Sequence, residues 1–403
     1  MTGFFDVLPS VEQLQLIPGA LILILLLNRY ILGRFFLWLA RKSGSGEAVP
    51  EGLPTVCITV PMYNEGLHIQ KTIRSIQAID YPADKLTYTI VDDCSADRSV
   101  DYALEAIAGD PRGTLLRSRK NQGKRISLIA AVRLTQAEFI VSVDSDVRIE
   151  PGAIRALMKR FTSPQIAAVG GRIAVENANQ NWLTMLQTVK YFIGYEFLKD
   201  LENAFGSVLC LSGCLTAYRR KVLLEVEHTL LNRQLFGCAI KYGEDRFLTR
   251  QIVLRGYRTH LEKAALCFTR VPESLSELIS QQVRWRRSNL VDFLGAFPRL
   301  GRLHPVVAIH YLCVASMLFL YPLFVLNHIV DSAGNFAMVF HLAVLGFLGL
   351  HYRMRTRDLP EAYRVSPASL LPLGILMPVT YLLLTPLAFF TLDSSSWETR
   401  KAP

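Results

Sequence analysis

Phe139-Ile140-Val141-Ser142-Val143-Asp144-Ser145-Asp146 decides the fold. Five residues dominated by β-branched and aromatic side chains stop at two acids, the pattern of a buried strand that ends at a polar edge. Working outward, the same pattern occurs twice upstream. Thr55–Val60 runs into Pro61-Met62-Tyr63-Asn64-Glu65, and Thr87–Asp92 runs into Asp93-Cys94-Ser95-Ala96-Asp97. A shorter strand is expected at Thr114–Leu116. Helical spacing fills the intervals at Leu67–Ala78, Arg98–Ala108 and Lys124–Leu134, so the chain reads as an α/β domain whose mainly parallel sheet is flanked by helices. Open α/β sheets bind ligands at the carboxyl ends of their strands, and there this chain concentrates its acids.

Each strand end suggests a chemistry. Pro61 and Tyr63 offer a face on which a nucleobase could stack, and Asp92 can accept hydrogen bonds from the N–H groups of a base such as uracil. Ser95 or Asp97 is expected to cap the following helix. Asp144 and Asp146, two apart at a strand terminus, can hold a hard divalent cation together with phosphate oxygens. Arg119 to Arg125 opens a helix with a glycine and the cationic pair Lys124 and Arg125, which suits a diphosphate. It is no Walker loop, because Ser118 and Arg125 stand where that motif needs glycine and Ser or Thr. Gly243-Glu244-Asp245-Arg246 starts a helix expected over Asp245–Arg255. An acid there is either a favourable N-terminal charge or a base placed to take a proton from a hydroxyl nucleophile. Finally, Gln281-Gln282-Val283-Arg284-Trp285-Arg286-Arg287-Ser288 continues an amphipathic helix from Glu273–Ser280. It reads either as a basic interfacial helix with a Trp anchor, or as Trp285 stacking on a sugar while Arg284 meets a leaving diphosphate.

At 403 residues and 51% hydrophobic content, the chain accommodates a domain of about 250 residues plus membrane segments. An apolar run from Leu14 to Leu37 is followed by Arg41 and Lys42 and reads as an anchor with its N-terminus outside. Ser43–Pro54 is a Gly/Ser/Pro linker. Three apolar stretches close the chain, at Pro305–Val330, Phe336–Leu350 and Leu370–Phe390. The arginines of 351–364 place that loop, and with it the α/β domain, in the cytosol. Pro372, Pro378 and Pro386 suggest that the last stretch is broken or re-entrant. The expected division is an anchor over 1–42, a linker over 43–54, a catalytic domain over 55–272, interfacial helices over 273–304, membrane helices over 305–392 and a tail over 393–403. The seven scattered cysteines contain no C-x-x-C pair, which speaks against a zinc site or disulfide framework and for a reducing compartment. The net charge of +10 suits anionic lipid or a phosphorylated substrate. The basic residues sit mostly beside apolar stretches or the proposed phosphates, so no nucleic-acid partner is expected, and no obligate protein partner is evident.

The ordered set Pro61–Glu65, Asp92-Asp93, Asp144-Ser145-Asp146, Ser212-Gly213-Cys214 with Tyr218-Arg219, Gly243-Glu244-Asp245 and Gln281-x-x-Arg284-Trp285 resembles that of processive, membrane-bound family-two glycosyltransferases. Among these, hyaluronan synthases are the most similar. Trp397-Glu398-Thr399-Arg400 looks like that family's W-G-T-R gating motif, with Glu398 in the glycine position. Cys214 in place of proline is nearer to chitin synthases, and the single N-terminal span is as in type 3 capsule synthases. The resemblance implies a GT-A fold and an inverting mechanism in an integral protein of the plasma membrane. Asp146 and Asp144 would carry Mg2+ or Mn2+ on a UDP-sugar. Pro61, Tyr63, Glu65, Asp92, Lys124, Arg125, Trp397 and Arg400 would surround the nucleotide, and Ser212, Gly213, Cys214 and Trp285 the acceptor. Asp245, beside Glu244, would be the general base, and Arg284 with Gln281 would stabilise the departing UDP. The expected activity is hyaluronan synthase-like polymerisation from UDP-GlcNAc and UDP-GlcA with export across the bilayer. The alternatives are a chitooligosaccharide or capsular polysaccharide synthase, or a single-transfer lipid enzyme of the ceramide glucosyltransferase type. A glycosidase would need no cationic diphosphate pocket.

Overall fold

A computed structural model describes residues 52–330 and 334–392, together with Phe35. The expected anchor other than Phe35, most of the linker, and the tail with Trp397 and Arg400 lie outside the described residues.

Strands β1 (Val56–Met62), β2 (Leu86–Asp92), β3 (Gly113–Arg117) and β4 (Phe139–Val143) alternate with helices α1 (His68–Gln77), α2 (Ser99–Ile107) and α3 (Lys124–Leu134). These four strands are mutually parallel in the order β3-β2-β1-β4. β1 is buried along all seven residues because both faces are covered. Val56, Ile58, Val60 and Met62 meet Ile69, Ile73 and Ile76 of α1 on one side, while Cys57 meets Leu128, Ile129 and Val132 of α3 on the other. Successive strand side chains point to opposite faces, and α1's isoleucines recur at helical spacing, so each side of β1 receives one apolar stripe. Pro61 is tolerated in this central strand because β4 pairs with β1 only as far as Thr59, while β2 pairs to Met62.

The second half of the sheet departs from the expected parallel pattern. After β5 (Arg148–Ile149) and α4 (Ala153–Lys159), β6 (Ile166–Val175) leads into α5 (Trp182–Phe192), a π-helical turn (Ile193–Phe197) and α6 (Lys199–Ala204). Asn181 and Thr184 form a reciprocal capping box at the start of α5. This excursion returns the chain to the edge it left, so β7 (Leu215–Arg219) runs back down between β4 and β6, antiparallel to both. That reversal sets Ser212-Gly213-Cys214, just ahead of β7, beside the acids just after β4. Helix α7 (Arg220–Leu231), the small hairpin β8 (Gln234–Leu235) and β9 (Cys238–Ala239), and α8 (Glu244–Leu254) follow, and β10 (Arg258–Thr269) pairs parallel to β6.

Ser274 caps α9 (Leu275–Ala296), accepting a hydrogen bond from Glu277 N. The chain then continues into α10 (Pro305–Val330), α11 (Gly334–Arg355) and α12 (Leu373–Phe389). Arg286 of α9 donates to Thr385 at 2.8 Å and Thr380 at 3.2 Å, and lies 4.1 Å over the Tyr381 ring, all on α12. α12 runs through Pro378 and Pro386; the break falls earlier, where 361–370 and 373–389 meet at 76°. Among the described residues no single helix is long and apolar enough to cross a membrane, while this bent pair meets the length and composition together.

Gly171 tests the join between β6 and β10. A Cβ there would sit 2.6 Å from the Ala265 carbonyl oxygen and 2.6 Å from Leu215 Cδ2, and the backbone atom cannot swing away. Gly171→Ala is expected to cost about 1–3 kcal/mol by overpacking, read as a fall in the denaturant midpoint; an unchanged midpoint would mean the strands separate freely.

Candidate active site

The end of β4 supplies Asp144 and Asp146, the start of α3 Lys124, the start of α8 Glu244 and Asp245, and α9 Arg284. Lys124 stands at the meeting point. Its ammonium pairs with Asp144 Oδ1 and lies 3.5 Å from Glu244 Oε1. Burial works against its charge, yet Asp144 and Glu244, with Asp245 behind them, hold its pKa above the ordinary lysine value. The lysine reaches this position because residue 213 has no side chain: a Cβ on Gly213 would collide with Lys124 Nζ and come within 3.2 Å of Asp144 Oδ1. The loop expected to touch the acceptor therefore also lies against the acids of β4.

Burial, reinforced by the Asp144 carboxylate, pushes the Asp146 carboxyl up to about 6, with Lys124 and Arg284 pulling the other way. Arg284 Nε is buried without a hydrogen-bond partner. Asp144 and Asp146 thus lie close enough for the charge of one to raise the pKa of the other, a place that favours a further positive charge. Among the described residues no three His, Cys, Asp or Glu side chains group closely enough to hold a metal alone. A divalent ion here would take one or two protein carboxylates and complete its shell from phosphate and water, the usual habit of Mg2+ beside a phosphorylated substrate.

Asp92 ends β2, two strands from β4 and hence about 10 Å across the sheet. It is fully buried. Its Oδ1 accepts from Ser95 N at 3.1 Å, and its Oδ2 faces Arg117 Nε at 3.5 Å, an ion-pair contact without hydrogen-bond geometry. Tyr63 is half-buried at the neighbouring end of β1. Asp93 instead shapes the loop ahead of α3, accepting from Gln122 N at 2.9 Å and Gly123 N at 2.7 Å.

Several expected residues take other partners. Glu65 accepts from Ser145 Oγ at 2.6 Å and so braces the Asp-Ser-Asp turn. Arg125 points away from Lys124 and donates to the Ile240 carbonyl at 2.7 Å. Ser95 accepts from Asn64 N at 2.9 Å, and the residue preceding α2, Arg98, makes no side-chain cap. Asp97 does accept from Ser99 N at 3.0 Å within the first turn.

Asp245 opens onto a cavity of about 590 Å3 between α5, α9, α10, α11 and α12, with Trp285 on its wall. Sequence reading missed the company Trp285 keeps. Tyr191 lies 5.9 Å from it and Tyr195 6.4 Å, edge-on, with 5.2 Å between the two tyrosines. Gln281 hydrogen-bonds Tyr191, whose hydroxyl also feels Asp146 and Arg284. The aromatic cluster thereby adjoins the acids. Its only sequence signal was two tyrosines four apart, which reads equally well as core. Gly243, at positive φ, holds the α8 terminus so close to α9 that a Cβ would collide with Ser288 Oγ.

The raised Asp146 pKa has a definite sign. The folded state holds this proton more tightly than the unfolded chain, so stability falls as pH rises from about 4 to about 6 and levels above. In the presence of chelator, Asp146→Asn is expected to remove that slope and to melt above the wild type at pH 7.5. Superimposable melting profiles would contradict the placement.

Residues 54–288 match the family described as Glycosyltransferase like family 2. An N-acetylglucosaminyltransferase of Mesorhizobium japonicum is 34% identical over 63% of this chain, which spans 60% of that relative's length. N-acetylglucosaminyltransferases of a Rhizobium species and of Rhizobium leguminosarum bv. viciae are each 31% identical over 86% of this chain, covering 77% and 82% of their own lengths. A solved mannosyltransferase from Pyrobaculum calidifontis, in complex with GDP-Man and Mn2+, superposes with a TM-score of 0.60 over 95% of this chain and 100% of its own, at 18% identity. At that identity the likeness is one of fold.

Proposed function

The chain belongs to the family 2-like glycosyltransferases, its α/β domain being of the GT-A kind, and from that premise we propose that it extends a glycan with N-acetylglucosamine from UDP-GlcNAc, inverting the anomeric carbon. The name shared by the relatives supports the sugar. The observation that carries the reading is the convergence of Asp144, Asp146, Lys124 and Arg284, whose neighbours Asp245 and Tyr191 line the aromatic-walled cavity together with Trp285.

In this reading the base lies between Tyr63 and Asp92, and the diphosphate lies against Lys124 and Arg284. Asp144 and Asp146 would hold Mg2+ or Mn2+, which supplies charge neutralisation on the diphosphate. The acceptor sugar stacks on Trp285 within reach of Asp245. Asp245 takes the acceptor hydroxyl proton as the new C–O bond forms to the anomeric carbon. The bond from that carbon to the phosphate oxygen breaks on the opposite side, leaving UDP beside Arg284. A sugar hydroxyl is a poor nucleophile, and a positioned base is worth about 100- to 10,000-fold.

The product leaves through the cavity. Ile375 and Leu383 of α12, Phe390 just after it and Ile309 on α10 are exposed, which supports membrane contact; the polymer would pass along these helices from a cytosolic domain. Chitooligosaccharide-like extension would be repeated transfer of the sugar that the relatives' names carry. The alternating hyaluronan-like polymer follows from the motif set and needs UDP-GlcA as well.

Incubating purified protein with radiolabelled UDP-GlcNAc alone, and with UDP-GlcA added, separates these products by length and enzymatic digestion. Asp245→Asn is expected to lower sugar transfer by about 100-fold or more while retaining UDP binding. Undiminished transfer would remove Asp245 from the reaction.

A further inference from the structure

Besides Asp245 and Arg246, the cavity wall carries a second charged group. Lys190 of α5 and Arg286 of α9 both line it. Lys190 Nζ donates to Gln282 Oε1 at 2.6 Å. Arg286 is 6% exposed; its terminal nitrogens reach Thr385 and Thr380, and its Nε is buried without a hydrogen-bond partner. Among the described residues neither side chain pairs with a carboxylate. The charge acting on Lys190 is the like charge of Arg286, and burial together with that repulsion pushes the lysine down to about 7.

The cavity's other two cations are differently placed. Lys199 and Arg246 both act on Glu202, and Arg246 also feels Asp245. Lys199 and Arg246 thus have carboxylates beside them, whereas Lys190 and Arg286 have none among the described residues. Two adjacent cations held in a mostly apolar cavity against hydroxyls and an amide are costly unless an anion joins them. Arginine's planar fork and a lysine point charge suit a carboxylate or phosphate.

We propose that Lys190 and Arg286 form an anion subsite for the acceptor glycan, taking a carboxylate or phosphate carried by a sugar lying beyond the one stacked on Trp285. The inference rests on the glycosyl-transfer reading above. It adds that the acceptor is selected by charge at a position that takes no part in bond making. Trp285 precedes Arg286 on α9 and contacts Tyr191, which follows Lys190 on α5. A bound chain stacked there passes the subsite on its way out.

The test uses the full-length protein in detergent and four probes. Three of these are matched oligosaccharides, a neutral N-acetylglucosamine oligomer, one bearing a hexuronate and one bearing a terminal phosphate, and the fourth is free inorganic phosphate. The wild type is expected to bind one of the charged oligomers about tenfold or more tightly than the neutral one, as a charge-assisted contact implies. The hexuronate and phosphate arms identify which anion is read. Lys190→Met should abolish the preference and Lys190→Arg should restore it. Equal binding of neutral and charged oligomers, a preference that survives in Lys190→Met, or free phosphate displacing nothing from the charged-oligomer complex at saturating concentration would each overturn the subsite. UDP release from UDP-GlcNAc, followed in parallel, keeps the two readings apart. Release and transfer without charge preference defeats the subsite alone, whereas absence of both defeats the transfer reading.

Discussion

The site is organised by one ammonium group among carboxylates. Lys124 enters from the start of α3, Asp144 from the end of β4, and Glu244 from the start of α8, three segments separated by up to 120 residues of chain. Without the lysine, these acids would repel one another across a buried space. With it, they are held close, and burial together with the Asp144 charge pushes the Asp146 carboxyl up. Gly213 matters for the same reason, since any side chain there would evict the ammonium. β7's reversal, which brings Gly213 to this edge, is thus part of the site's construction.

A second set of charges ties the catalytic domain to the outer helices. Arg172 of β6 pairs with Glu196 at 2.9 Å and with Asp358. Lys263 of β10 lies 3.2 Å from both Glu196 and Asp200, and Arg355 at the end of α11 pairs with Asp200. Glu196 belongs to the π-helical turn, next to Tyr195. Such turns insert an extra residue and recur at functional sites. Here the turn carries an aromatic wall of the cavity and is braced by β6 and β10 at Glu196, while α11 reaches the following helix at Asp200. Because Arg172, Glu196 and Asp200 are nearly inaccessible to solvent, removing one member would strand the others, so the network fixes geometry more than it adds net stability.

Much of the first half of the domain was legible in the sequence. Strand cores at Thr55–Val60, Thr87–Asp92 and Phe139–Val143 announce themselves by apolar runs that stop at acids, and the structure shifts their ends by one or two residues. The later half was not, because the direction of β7 depends on where α5 and α6 return the chain and not on its own composition. Arg125 was read with Lys124 as a cationic pair, but neighbours on a helix point about 100° apart. One reaches the acids and the other a carbonyl in a distant loop. Glu65 looked like a nucleotide ligand and instead braces the loop that carries Asp146, as Asp93, to which no role fell, braces the loop ahead of Lys124. Tyr191, Tyr195 and Lys190 escaped notice because their helix reads as core until the cavity beside it is seen.

The central claim is that acids and cations from distant segments form a single donor site extending from Asp92 to Arg284. Titration calorimetry of UDP with and without Mn2+ on the wild type, Asp92→Ala and Arg284→Ala addresses it directly. The account predicts that Mn2+ strengthens UDP binding and that each substitution, at opposite ends of the site, weakens it by about tenfold or more. Binding of UDP that ignores both substitutions would mean the nucleotide lies elsewhere.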